Sequence, residues 1–283
     1  MPAWTWEWHP HPEVWVLVVV LILGYAHLLR RVGPKAVAPG EPVATRAHIR
    51  NFAIGVGAIL VGAEWPMHDL AEGYLYSAHM IQHMLLTLIT APLFLCAMPA
   101  WMARALLPGP AMGIARALGR PVAALLLFNG VLVLTHWPTL VNAAAGNELL
   151  HFSLHALILS TAMIMWLPVL SPVIEIPRMS YPGQMMYLFL QSLVPTVPAS
   201  FLTFGERPLY EVYTRFPNLW NISDLSDQRT AGLLMKIGGG LAIWLVISVI
   251  FFKWASMERS EGVDALGMRD VDRDLNRMEL TRR

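Results

Sequence analysis

Residues 76–98 read YSAHMIQHMLLTLITAPLFLCAM, an apolar run that opens on two histidines four apart, His79 and His83. A membrane-crossing helix needs about 20 mostly apolar residues, and side chains at i and i+4 project from one helix face. The run therefore reads as a spanning helix with paired imidazoles near one end. The pattern recurs. Twelve residues separate Trp65-Pro66 from His79-x-x-x-His83, and twelve separate Trp137-Pro138 from His151-x-x-x-His155. A shift of 72 residues superposes the two, which makes residues 50–98 and 121–168 a candidate parallel repeat of helix pairs.

Working outward, apolar segments fall at about 13–29, 50–64, 76–98, 121–138, 150–168, 184–204 and 230–252, with proline-rich connections between them. The second is short by the spanning standard and needs extension toward Asp69 or a tilt. The chain has 283 residues and only 14% are charged, against about 25% in a soluble domain. The expected fold is all-α: a polytopic membrane helix bundle of seven transmembrane helices over residues 1–255. A charged cytosolic tail of alternating sign, residues 256–283, follows. Nothing positive precedes the first apolar run, and Arg30 and Arg31 follow it, the reverse of a signal peptide.

Orientation follows from the basic residues. With the N-terminus outside, the inner connections and the tail hold 16 of the 20 Lys/Arg, and the outer segments hold Arg207, Arg215 and Arg229. The expectation is N-out, C-in, with Trp4, Trp6, Trp8 and Trp15 at one interface and Trp101, Trp166 and Trp254 at the other. Eight of the ten histidines then lie at the outer face: His9, His11, His68, His79, His83, His136, His151 and His155.

Imidazole is the commonest side-chain metal ligand, and ionisable groups inside a membrane are functional candidates by default. Two matched pairs make His79, His83, His151 and His155 the first candidate ligands, with His136 fifth and His68 next. Asp69 could support His68, and Glu148, one turn before His151, could orient that ring. His9 and His11, in a His-Pro-His-Pro segment, form a weaker metal-capture motif. Thioethers favour Cu(I) whereas zinc takes N, O and thiolate donors. Met235, with Met67, Met80 and Met84, therefore tilts the metal toward copper, as Cu(I) by softness. Zinc and haem stay open, as an intramembrane zinc hydrolase with Asp69 or Glu148 as base and as a bis-histidine haem site. A scaffold whose histidines only bind a partner is the remaining alternative.

Other features are read more coarsely. Asp227 is placed to cap the seventh helix, Gly238-Gly239-Gly240 to permit close helix approach, and Pro195 and Pro198 to kink the sixth. Lys236 either snorkels outward or stands near the site. The outer loop 205–229 either lies on the membrane, covers the site or meets a partner. A single cysteine, Cys96, excludes an internal disulfide and any CxxC motif, and HExxH, GxSxG and P-loop patterns are absent. A formal charge of +1 argues against a nucleic-acid partner.

The run His79-Met-Ile-Gln-His83-Met-Leu-Leu, followed by Ala91-Pro92-Leu93 and Pro99, resembles the CtaG family of cytochrome c oxidase assembly factors. So do His136-Trp137-Pro138, the His151/His155 pair and Asp227-Gln228-Arg229-x-x-Gly232-Leu-x-Met235. Where the family pattern carries a Trp after its seventh-span Met, this chain has Lys236. The resemblance implies a non-enzymatic, multi-pass protein of the bacterial inner membrane, its metal site facing the periplasm. It also implies copper delivery to the catalytic subunit of a haem-copper oxidase. The lipid bilayer, a periplasmic copper chaperone and a homo-oligomer complete the expected associations.

Overall fold

The computed structural model describes residues 4–280, with side chains through Arg259, and among these residues there is no strand. In chain order, α1 is Pro12–Ala36, α2 is Arg46–Ala63, α3 is the short Met67–Gly73 and α4 is Tyr76–Ala97. Next come α5, Ala100–Leu106, α6, Pro110–Leu118, α7, Pro121–Thr135, and α8, Pro138–Ala144. Then α9 is Glu148–Leu170, α10 is Tyr181–Phe204 and α11 is Asp224–Arg259, whose helix continues to Leu280.

Helices occupy all seven segments read as apolar spans. Five (α1, α4, α9, α10 and α11) are long and apolar enough to cross a membrane. A sixth arises if α6 and α7, bent by 80° at Gly119-Arg120, form one broken span. Polar residues Arg46, His48, Arg50 and Asn51 dilute the first turns of α2, which is why it falls short. The outer faces are apolar and exposed, as at Val20, Leu126, Leu190 and Leu245. A water-soluble fold would not leave so much continuous apolar surface uncovered; these faces suit lipid.

Both Trp-Pro units lead into a short helix, α3 or α8, and then into the histidine-bearing helix, α4 or α9. The main core lies among α4, α7, α9, α10 and α11, around Phe128, Ile158, Met165, Trp166, Tyr187 and Leu202. Trp166 is thus a core residue, 2% exposed, rather than part of an interfacial belt. Its indole N–H donates to the Thr87 carbonyl at 2.9 Å. Thr87 lies in a π-type segment, Leu85–Thr90, that directly follows His83. Such segments disturb the i→i−4 ladder and free carbonyls, and Trp166 takes one of them. A second π-type segment, Leu234–Gly238, carries Met235.

Helix α1 is peripheral: among its residues through His27, only Val14 and Val18 are buried. Close approach in α11 occurs at Gly238, where a Cβ would stand 3.1 Å from Met84 Cε, and more tightly at Gly232. A Cβ there would stand 2.8 Å from the Ala199 carbonyl oxygen and 2.9 Å from the Thr203 nitrogen. Gly239 and Gly240 have open space beside them and line a cavity instead. Pro195 breaks α10 between Leu193 and Thr196, as its missing N–H dictates.

Candidate metal centre

The histidine-bearing ends of α4 and α9 face each other through their rings. His79 and His83 point from one face of α4, their ring centroids 4.4 Å apart, and His151 and His155 do the same on α9 at 4.2 Å. Across the gap, His155 stands 5.4 Å from His79 and 5.0 Å from His83, centroid to centroid. One ligand nitrogen from each of His79, His83 and His155 lies within 4.8 Å of the other two. Three nitrogens bound to one ion at about 2.1 Å stand at most about 3.6 Å from one another, so binding would draw the rings together.

His136 ends α7 with its ring 5.7 Å from His83. Its Nδ1 lies 2.7 Å from the Leu132 carbonyl oxygen. A carbonyl only accepts, so that nitrogen carries the proton and Nε2 keeps its lone pair. Nε2 of His136, Nδ1 of His79, Nδ1 of His83 and Nε2 of His155 are all buried without a hydrogen-bond partner. Stranded polar atoms in an apolar interior are costly and rare. Three of these nitrogens are on His79, His83 and His155, the group that could share one ion, and His136 adds a fourth beside His83.

The helix that carries His79 and His83 is held from a distance. Its own N-cap, Leu75, offers no side-chain acceptor. Asp227 supplies it: one carboxylate oxygen accepts from the Tyr76 backbone N–H at 2.6 Å, the other from the Ser77 N–H at 3.2 Å and from the Ser77 hydroxyl. Asp227 therefore caps α4, while Ser223 caps α11. Gln228 beside it accepts from Leu209 N and donates to the carbonyls of Leu202 and Arg207, which fixes the start of the outer loop. Within the motif between the two histidines, Gln82 points the other way and donates to the Gly62 carbonyl at 2.7 Å, joining α4 to α2.

The loop 205–229 covers the centre. The Tyr210 hydroxyl donates to the His136 carbonyl at 3.0 Å and accepts from Tyr76, and the Tyr213 hydroxyl donates to the Ala71 carbonyl. Burial pushes Tyr210 up to about 12 and raises Tyr213 as well, so both phenols stay protonated as donors.

Glu72 is the residue that sequence reading missed. Its Oε1 sits 2.7 Å from His151 Nδ1 and 3.2 Å from His68 Nε2. The only sequence signal was its i+4 spacing from His68 on α3. Burial raises its carboxyl, but the contact with His151 and the charges of His151, His68 and His155 outweigh that and leave it below the ordinary value. Burial lowers His68 despite the Glu72 charge. Asp69 and Glu148 do not reach the trio: Asp69 is held by His9 and His11, and Glu148 is exposed. His68 stands beside His11, outside the trio, at 4.1 Å between ring centroids.

Two cavities meet at His83. One is the more polar of the two and is lined by Glu72, His79, His151, His155 and Tyr213. The other is apolar and lined by Met80, Met84, Met165, Met235, His136 and Gln191. His83 lines both. Met235 thus belongs to the second cavity and not to the imidazole trio. Lys236 is exposed, its Nζ 5.7 Å from the centroid of the Phe204 ring.

A family model described as cytochrome c oxidase caa3 assembly factor matches residues 19–257. Comparison with curated proteins and with solved structures found no match.

Proposed function

The chain belongs to the cytochrome c oxidase caa3 assembly factor family, and we propose that it serves the oxidase by carrying copper. The ion, as Cu(I), is cargo held by His79, His83 and His155, with His151 and His136 as exchange ligands. The observation that supports this most is the grouping of His79, His83 and His155, each with a buried ring nitrogen that has no partner. Thioethers support copper over zinc, because four methionines line the cavity that shares His83 with the imidazole trio. Carriage needs a site that also releases. A ligand set that changes stepwise, from imidazoles toward thioethers across His83, gives the ion a path of exchange without a fully closed shell.

In this reading the protein spans the bacterial inner membrane seven times, N-out and C-in, with the trio toward the periplasm. The recipient is the copper centre of the oxidase's catalytic subunit, and a periplasmic copper chaperone supplies the ion. The test is the copper content of the oxidase purified from cells lacking this protein. Copper-depleted oxidase, restored by the wild-type chain but not by His83→Ala, is the expected result. Copper-replete oxidase in the deletion strain would refute delivery.

A further inference from the structure

Outside the trio, a second group of side chains at the same end of the bundle has ligand chemistry. His11 precedes α1, Glu13 lies in its first turn and His68 is on α3; one ligand atom from each lies within 4.8 Å of the other two. His11 is already oriented. Its Nε2 lies 2.7 Å from Asp69 Oδ1, which leaves Nδ1 turned toward Glu13 at 3.2 Å. A carboxylate behind one ring nitrogen and a free face on the other is the usual support of a metal-bound histidine. The second oxygen of Asp69 takes His9 at 3.0 Å. Three carboxylates contact these imidazoles (Glu13, Asp69 and Glu72), so the rim favours a cation.

We propose that His11, Glu13 and His68 form a second metal site, for a divalent first-row ion such as zinc, that clamps the start of α1 to α3. Two imidazoles and a carboxylate suit borderline divalent ions, whereas the inner trio with its thioethers suits a softer one. The two sites therefore differ in the ion they select as well as in place. A clamp at this point also answers a weakness of the fold. Helix α1 buries only Val14 and Val18 before its last turn, so its apolar attachment is thin. An ion shared between its leading residues and α3 ties down a helix that packing holds weakly.

The test is equilibrium zinc binding to the full-length protein in detergent, in a His79→Ala/His83→Ala background that removes the inner trio. One equivalent of Zn²⁺ is expected, and it should be lost in His11→Ala and equally in His68→Ala, two variants on different elements. Hydrogen exchange of the amides at 14–18 should slow on zinc addition, and should not respond in His11→Ala. With the inner histidines intact, His11→Ala should still take up its Cu(I). Absence of zinc binding in the background protein, retention of zinc by either variant, or loss of Cu(I) uptake together with zinc would each overturn the proposal. Because the background lacks the trio, failure here leaves the copper reading untouched, and failure of copper binding leaves this one standing.

Discussion

Substituting Asp227 tests the claim that α11 positions the histidine-bearing α4. Its carboxylate accepts from two backbone N–H groups and one hydroxyl at the start of α4. In Asp227→Ala the Ser77 hydroxyl can rotate to another acceptor, but the Tyr76 and Ser77 N–H groups lose theirs. A stranded buried donor costs about 1–3 kcal/mol, and Ser77 is partly accessible, so the sum is roughly 2–4 kcal/mol. Asp227→Asn keeps one acceptor oxygen while turning an NH₂ toward a donor, and should cost about half as much. Thermal unfolding in detergent, read with hydrogen exchange at residues 76–80, measures both. The expected order is wild type, Asp227→Asn, Asp227→Ala, with faster exchange confined to the first turn of α4. An Asp227→Ala protein within about 0.5 kcal/mol of wild type, the range of ordinary surface substitutions, and with unchanged exchange would refute the capping argument.

Three further outcomes are expected. Glu72→Gln removes the carboxylate 2.7 Å from His151 and should weaken Cu(I) affinity about 10–100-fold at unchanged stoichiometry, as measured by chelator competition. Gly232→Ala places a Cβ 2.8 Å from the Ala199 carbonyl and should destabilise by about 1–3 kcal/mol through overpacking, read as a fall in unfolding temperature. The hydrogen bond from Arg104 holds Glu175 below its ordinary value of 4.5. A depressed carboxyl stabilises the fold above its unfolded pKa, and that contribution is lost as pH falls from 4.5 through the depressed value. Arg104→Ala should flatten this segment of the stability–pH curve.

How far the sequence carries can be judged at particular residues. The apolar runs place helices at their observed positions because a spanning helix is written in its own composition, and α2 is the exception for the same reason, since Arg46 and Arg50 interrupt it. The i,i+4 spacing makes His79 and His83 neighbours, and the matched Trp-Pro spacing puts His155 at the same depth on α9. Which histidine joins the trio is a question of helix rotation, which spacing does not contain: His151 turns to Glu72 while His155 faces His83. Asp227 was legible as a cap but not as the cap of a helix 150 residues away. Likewise, a glycine triplet signals room for a neighbour, and Met84 does meet Gly238, but the closest approach falls at Gly232, where α10 crosses.

The central claim is that the buried imidazoles bind copper, and anaerobic Cu(I) loading of the purified protein followed by elemental analysis tests it most directly. One equivalent of copper, lost in His79→Ala/His83→Ala and in His155→Ala while both variants remain monodisperse and helical, is the predicted result. Copper retained in those variants, zinc in its place, or a Soret band from bound haem would contradict the account.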